Sequence, residues 1–177
     1  ASLLESRVIQ TLRVPTDAQL AARFDLVYGL NGERVVLRHL MLNRSRTKSA
    51  LRALGTTPEL MTNEHLDVEI ARKANELLAS AQAGEDFEVL CRANSHDISV
   101  AQNGGVIPNY NFKHYGEDIA AAVHAATVGE VFGPIQAPAG THLLKVESRV
   151  ITEFASVKDS LIAELMAEEP SHVERSA

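Results

Sequence analysis

Residues 129–146, GEVFGPIQAPAGTHLLKV, restrict the fold of this chain more than any other stretch. They read as a turn, a short extended run through Gly133-Pro134, a Pro-Ala-Gly turn, and a buried strand. In that last strand His142, Leu144 and Val146 share one face, and Leu143, Lys145 and Glu147 share the other. A second strand is clear upstream, at RVVLRHLML, residues 34–42. There Val35, Leu37, His39 and Met41 lie on one face, and Val36, Arg38, Leu40 and Leu42 on the other. Two histidines on apolar faces of two strands, 103 positions apart, fit adjacent central strands of one sheet. A lone histidine on such a face is more often a satisfied core residue than a functional group, and the residue pattern alone leaves both readings open.

Helices fill the rest of the chain. Ser2 and Glu5 form a capping box for a helix over 2–12, and Thr16 and Gln19 form one for a helix reaching Tyr28. Gly29 and Asn31-Gly32 end that second helix. Residues 43–62 form a short helix carrying Arg44, Arg46, Lys48 and Arg52, broken at Thr56-Thr57-Pro58; these charges read as a solvated face. The strongest helix runs over 63–83, with Leu66, Ile70, Ala74, Leu77, Leu78 and Ala81 as its apolar stripe. A short helix follows from Phe87, and Cys91 falls in its apolar pattern, as a core thiol would. Residues 95–108 form a loop around Asn103-Gly104-Gly105, in which Asp97 suits an Asx-turn. Residues 117–126 read as a helix with Ile119, Val123 and Ala126 inward. A final helix over 155–168 is expected to be capped by Ser156 and Asp159.

Composition narrows the function. The net charge of −6 and pI of about 5.6 argue against general nucleic-acid binding, which needs a basic surface. A single Cys excludes an intrachain disulfide. No run of 18 apolar residues offers a membrane span, and no signal peptide opens the chain. The seven histidines show no His-X-X-X-His spacing, so neither metal nor cofactor is expected.

Taken in order, the motifs resemble a parvulin-type peptidyl-prolyl cis-trans isomerase domain, of the kind found in exported SurA- and PrsA-type foldases. The resemblance spans residues 34–148. It rests on Arg38-His39 followed by hydrophobic residues, on Gly84-Glu85-Asp86-Phe87 between helices, on Ser95-His96-Asp97 before Gly104-Gly105, and on Gly140-Thr141-His142 opening the last strand. It implies an α+β fold: a four-stranded, largely antiparallel sheet surrounded by helices, with extra N- and C-terminal helices. The implied organisation is a helical segment at 1–33, a parvulin-like domain at 34–150 with an insertion at about 43–62, and a C-terminal helix and tail at 151–177.

The implied function is isomerisation of X-Pro bonds in proline-containing peptides or unfolded protein clients. The alternatives are a noncatalytic peptide-binding chaperone with the same fold, or a structural module whose helices hold a partner. His39, Asp97 and His142 take the catalytic roles; Ile107, Tyr115, Ile119 and Val123 take substrate-binding ones. The resemblance also suggests export to a periplasmic or equivalent compartment, and a further chaperone domain or self-association through the terminal helices. The chain departs from the family pattern at several positions. Val106-Ile107-Pro108 replaces the usual Asp-Leu-Gly after the paired glycines, Ala137 replaces a hydroxyl residue, and Thr141 replaces an aromatic. The expected geometry puts an imidazole nitrogen of His39 about 2.7–3.2 Å from one of His142, with Asp97 approaching the pair.

Overall fold

The computed structural model describes residues 14–112 and 115–168. The expected helix over 2–12 and the polar tail lie outside the described residues. The chain divides into two compact units, residues 35–149 and the two flanks up to 34 and from 150. The four strands are β1 (Glu33–Leu42), β2 (Val106–Ile107), β3 (Val131–Ala137) and β4 (Gly140–Ile151). They form one antiparallel sheet in the order β2-β1-β4-β3. The histidine-bearing strands β1 and β4 are therefore the two central ones and lie next to each other.

Local sequence explains three helices of the larger unit. The side chain of Asn43 accepts from the Arg46 N–H and starts α2 (Arg44–Ala53). Thr62 does the same for α3 (Asn63–Gln82), accepting from the His65 N–H. Asp86 accepts from two N–H groups at the start of α4 (Phe87–Asn94). Each such cap stabilises its helix by about 1 kcal/mol. The loop expected at 95–108 contains more structure than the sequence pattern suggests: a single turn, α5 (Val100–Asn103), and then β2. The fourth strand is thus only two residues long, paired through Leu37 with Ile107 and Arg38 with Val106. Helix α6 (Glu117–Ala125) precedes the β3–β4 hairpin, and Arg149 of β4 donates to the carbonyls of Val123 and Ala126 at its C-terminal end.

Strand alternation sorts the core. On one face of the sheet Leu40, Leu42 and Leu143 pack with Ile70, Ala74 and Leu77 of α3 and with Phe87, Leu90 and Cys91 of α4. Burying a leucine of this kind stabilises by roughly 1.5–3 kcal/mol. The opposite parity holds Val35, Leu37, Leu144 and Val146, all buried, together with His39 and His142. In the flanking unit, Leu20 and Phe24 of α1 (Asp17–Tyr28) pack against Leu161 and Leu165 of α7 (Phe154–Ala167). The Thr16–Gln19 capping box of α1 is formed. The cap of α7 differs from expectation: its N-cap is Glu153, with no side-chain cap, and Ser156 bonds the Glu153 carbonyl instead. The helix starts before Ser156, so that hydroxyl serves its first turn and not its cap.

A glycine lies against each histidine-bearing strand. A Cβ on Gly105 would sit 2.4 Å from the His39 carbonyl oxygen, and one on Gly133 would sit 2.7 Å from that of His142. Gly105 has φ +83°, and Gly55 has φ +79° with no atom near its absent Cβ. Both glycines occupy the left-handed region, where a side chain costs about 1–2 kcal/mol, but only Gly105 adds a collision. Gly105→Ala is therefore expected to lower stability in urea by at least about 1 kcal/mol more than Gly55→Ala. Equal losses would show that β1 yields to the turn.

Candidate active site

The alternation that buries Leu37 also turns His39 to the same side of the sheet, and the pairing of β1 with β4 brings His142 beside it. The two rings stack with centroids 5.9 Å apart and planes 15° from parallel. Among the described residues the expected direct nitrogen-to-nitrogen hydrogen bond is absent. His39 Nε2 faces Asp97 Oδ2 at 3.1 Å instead. His142 Nε2 is buried and has no hydrogen-bond partner among the described residues.

Asp97 reaches the pair because its segment is fastened to the end of β1. After α4 ends, the Ser95 hydroxyl accepts from the Met41 N–H at 3.1 Å and from the Asp97 N–H at 3.3 Å. The His96 N–H donates to the Met41 carbonyl at 2.7 Å, and His96 Nδ1 accepts the Asn43 N–H at 2.9 Å. Asp97 then does two jobs with its two oxygens. Oδ1 accepts from the Ser99 N–H at 2.9 Å, the Asx-turn read from the sequence, while Oδ2 meets His39. One carboxylate thus makes both the turn and the contact with His39.

Burial sets the charge state of the cluster. It pushes His39 below the ordinary histidine value, against the opposing pull of Asp97. It also lowers His142, to about 4, with the neighbouring His39 adding to the effect. For Asp97, burial disfavours the charge, but the Ser99 hydrogen bonds and the two histidines hold its carboxyl below the ordinary range. Near neutral pH the cluster is thus an ionised carboxylate beside two uncharged rings. A carboxylate only accepts, so His39 carries its proton on Nε2 and donates to Asp97.

A cleft of about 650 Å³ opens over this cluster. Asp97, His39 and His142 line it together with Ile107, Tyr115 and Ile119, three of the four residues expected to contact substrate. Val123 does not line it; the residue is wholly buried, one turn along α6 from Ile119, and belongs to the core. Further lining residues are Met41, Ser99, Asn103, Val106, Pro108 and the hairpin residues 137–139. Met41 was detectable by its two-residue spacing from His39. The hairpin was not, because its contribution depends on how the turn folds over the sheet. Ala137 puts a methyl group on the wall, and Thr141 is buried with its side chain on the strand parity opposite to His142. Tyr115 stacks on Tyr110 at 5.3 Å, which fixes its ring at the edge of the cleft.

Other expectations find their places away from the cleft. Cys91 is buried and its thiol is pushed up to about 12 by that burial, as suits a core residue. Arg44 pairs bidentately with Asp67, both contacts at 2.6 Å, on the exposed side of α2. Among the described residues no group of three or more potential ligands could hold a metal ion, and no helix is long and apolar enough to cross a membrane.

The chain has known relatives. The rotamase family, described as the PPIC-type PPIase domain, matches residues 54–148. The foldase protein PrsA of Geobacillus kaustophilus is 27% identical over 155 residues, covering 81% of this chain and 55% of that protein. PrsA of Oceanobacillus iheyensis is 29% identical over 108 residues, covering 58% of this chain and 36% of the relative. The crystal structure of PrsA from Streptococcus pneumoniae superposes with a TM-score of 0.51 at 21% identity, covering 92% of this chain and 51% of that one. This chain spans about half the length of the first of these relatives. The matched segment contains Asp97, His142 and the cleft walls on β2, α6 and the hairpin, and the chain belongs to the PPIC-type, or parvulin, family of peptidyl-prolyl cis-trans isomerase domains.

Proposed function

We propose that this chain catalyses cis-trans isomerisation of X-Pro bonds in unfolded or partly folded protein clients, with His39, Asp97 and His142 as its catalytic cluster. The observation that carries the reading is a buried histidine pair, with the Asp97 carboxylate 3.1 Å from one ring, under a cleft walled by Ile107, Tyr115 and Ile119. Rotation about a peptide bond has a barrier of about 18–20 kcal/mol, and no covalent bond need break. A site that binds the twisted amide better than the planar one lowers that barrier, and each tenfold gain in rate needs about 1.4 kcal/mol. The apolar walls seat the proline ring and strip water from the carbonyl. Asp97 and the rings supply a fixed field around the amide, so the histidines orient the cleft and transfer no proton.

Residues 34–150 form the catalytic domain in this reading, with the segment at about 43–62 as an insertion. The flanking helices belong to a client-holding module, and the protein works after export. The compact unit at 35–149 supports the domain bounds, and similarity to the PrsA foldases supports work after export. A second reading, a noncatalytic peptide-binding chaperone, is favoured by Ala137, which leaves that wall without a hydroxyl.

A protease-coupled assay on a proline tetrapeptide separates the two. Acceleration by the wild type, reduced about tenfold to a hundredfold in His142→Ala and in Asp97→Ala, is the expected result. Retained binding of unfolded chains without acceleration would establish the chaperone instead.

The charge state also predicts a pH response. His142 has a folded pKa of about 4, below the unfolded value of roughly 6.5. Its contribution to stability is complete above the unfolded pKa and is lost as pH falls through the folded one. Between pH 6.5 and 4 the unfolded chain takes up a proton that the folded chain refuses. The unfolding free energy should fall over that window by up to about 1.4 kcal/mol per pH unit from this group. His39 and His96, both lowered by burial, add to the slope. Urea titrations at several pH values should show a shallower slope in His142→Gln; an unchanged slope would mean that His142 is charged in the folded protein.

A further inference from the structure

We infer that Arg38, on the sheet face away from the cleft, is a positioning residue that holds Asp97 opposite His39 through the Gly104-Gly105 turn. Only the kinetic half of its test rests on the isomerase reading. The Arg38 side chain is 12% exposed and uses its whole guanidinium. Nε donates to Glu147 Oε1 of β4 at 2.7 Å, Nη2 pairs with Glu88 Oε2 of α4 at 3.0 Å, and Nη1 donates to the Gly104 carbonyl at 2.6 Å. Gly104 is set into this ion cluster. Its φ is +64°, and a Cβ there would lie 2.7 Å from Arg38 Nη1 and 2.9 Å from Glu88 Oε1.

The next carbonyl, that of Gly105, accepts the His39 N–H at 2.9 Å. Two successive residues of β1 therefore hold two successive carbonyls of the turn, one through a side chain and one through the backbone. The other end of the same segment is held to Met41 by Ser95 and His96. Asp97 lies between these two anchors, on a stretch that has only the single turn of α5 as regular structure. Its distance to His39 is thus set by fastenings at 95–96 and at 104–105. Arg38 supplies the only side-chain fastening from β1 at the second anchor among the described residues. Lysine keeps the charge but cannot reproduce a fork that meets three acceptors in one plane.

The test is a double-mutant cycle between Arg38→Met and Asp97→Asn, read by NMR titration of the His39 imidazole and by kcat/KM on a proline tetrapeptide. Asp97→Asn removes the carboxylate and lowers the His39 midpoint. Loss of the Arg38 cation alone would raise that midpoint, by removing a positive neighbour. If Arg38 positions Asp97, Arg38→Met lowers it, and has little further effect once Asp97 is Asn. In parallel, kcat/KM falls about tenfold in Arg38→Met and less than about twofold further in the Asp97→Asn background. A rise or no movement of the midpoint, or equal kinetic losses in both backgrounds, would overturn the inference. Should Arg38→Met fail to fold, Arg38→Lys enters the same cycle with the same signs expected. Should the wild type prove inactive, the isomerase reading fails while the titration still decides the role of Arg38.

Discussion

The side-by-side pairing of β1 and β4 is the constraint on which the site depends. Both are interior strands, so both edges of each are hydrogen-bonded, and the histidines they carry are buried. Pleating does the rest: with a two-residue period, the same alternation that places Leu40 and Leu143 in the helix-packed core places His39 and His142 on the other side. A one-residue slip of either strand would exchange these sets, moving leucine into the cleft and histidine under α3 and α4. The apolar core and the site are therefore specified by one register. Glycine at 105 and 133 lets neighbouring backbone approach each of these strands more closely than a side chain would permit.

Burial and charge work in opposite directions across the cluster, and the balance differs by residue. Asp97 is the least buried of the three and has its own donors, so it keeps its charge. The rings are more deeply placed and lose theirs. The result is one fixed negative charge beside two neutral, polarizable groups. For a reaction that only rotates a bond, a fixed field in a mostly apolar cleft is the contribution a protein can make without chemistry of its own. An uncharged His142 with an unpaired Nε2 also avoids placing a bare cation in that cleft, which would be far more costly than an unpaired neutral nitrogen.

Much of this was legible in the sequence, for identifiable reasons. Strand β1 announces itself through the run 34–42, and α3 through an apolar stripe from Leu66 to Ala81. The Thr16–Gln19 box and the Asp97 Asx-turn are local chemistry and appear as read. Strand β2 was not legible from pattern, since Val106 and Ile107 are too short to show a period; only the family resemblance implied a fourth strand. Val123 was misplaced because an apolar helix face does not say which of its residues meets a cavity and which meets the core. The nitrogen-to-nitrogen bond failed for a similar reason. Neighbouring strands fix where two rings are, but side-chain rotation decides whether they meet edge to edge or stack. Arg38 could be placed on the far face, yet its partners Glu88, Gly104 and Glu147 lie too far along the chain to be paired by inspection.

A buried histidine in this cleft stays uncharged while a carboxylate beside its partner ring stays ionised. Long-range proton–nitrogen NMR of the His142 imidazole, followed from pH 8 to pH 3.5, tests it most directly. One neutral tautomer through pH 6 and a midpoint of about 4 are expected. A midpoint near the ordinary histidine value of roughly 6.5 would contradict this, because His142 would then be solvated rather than buried.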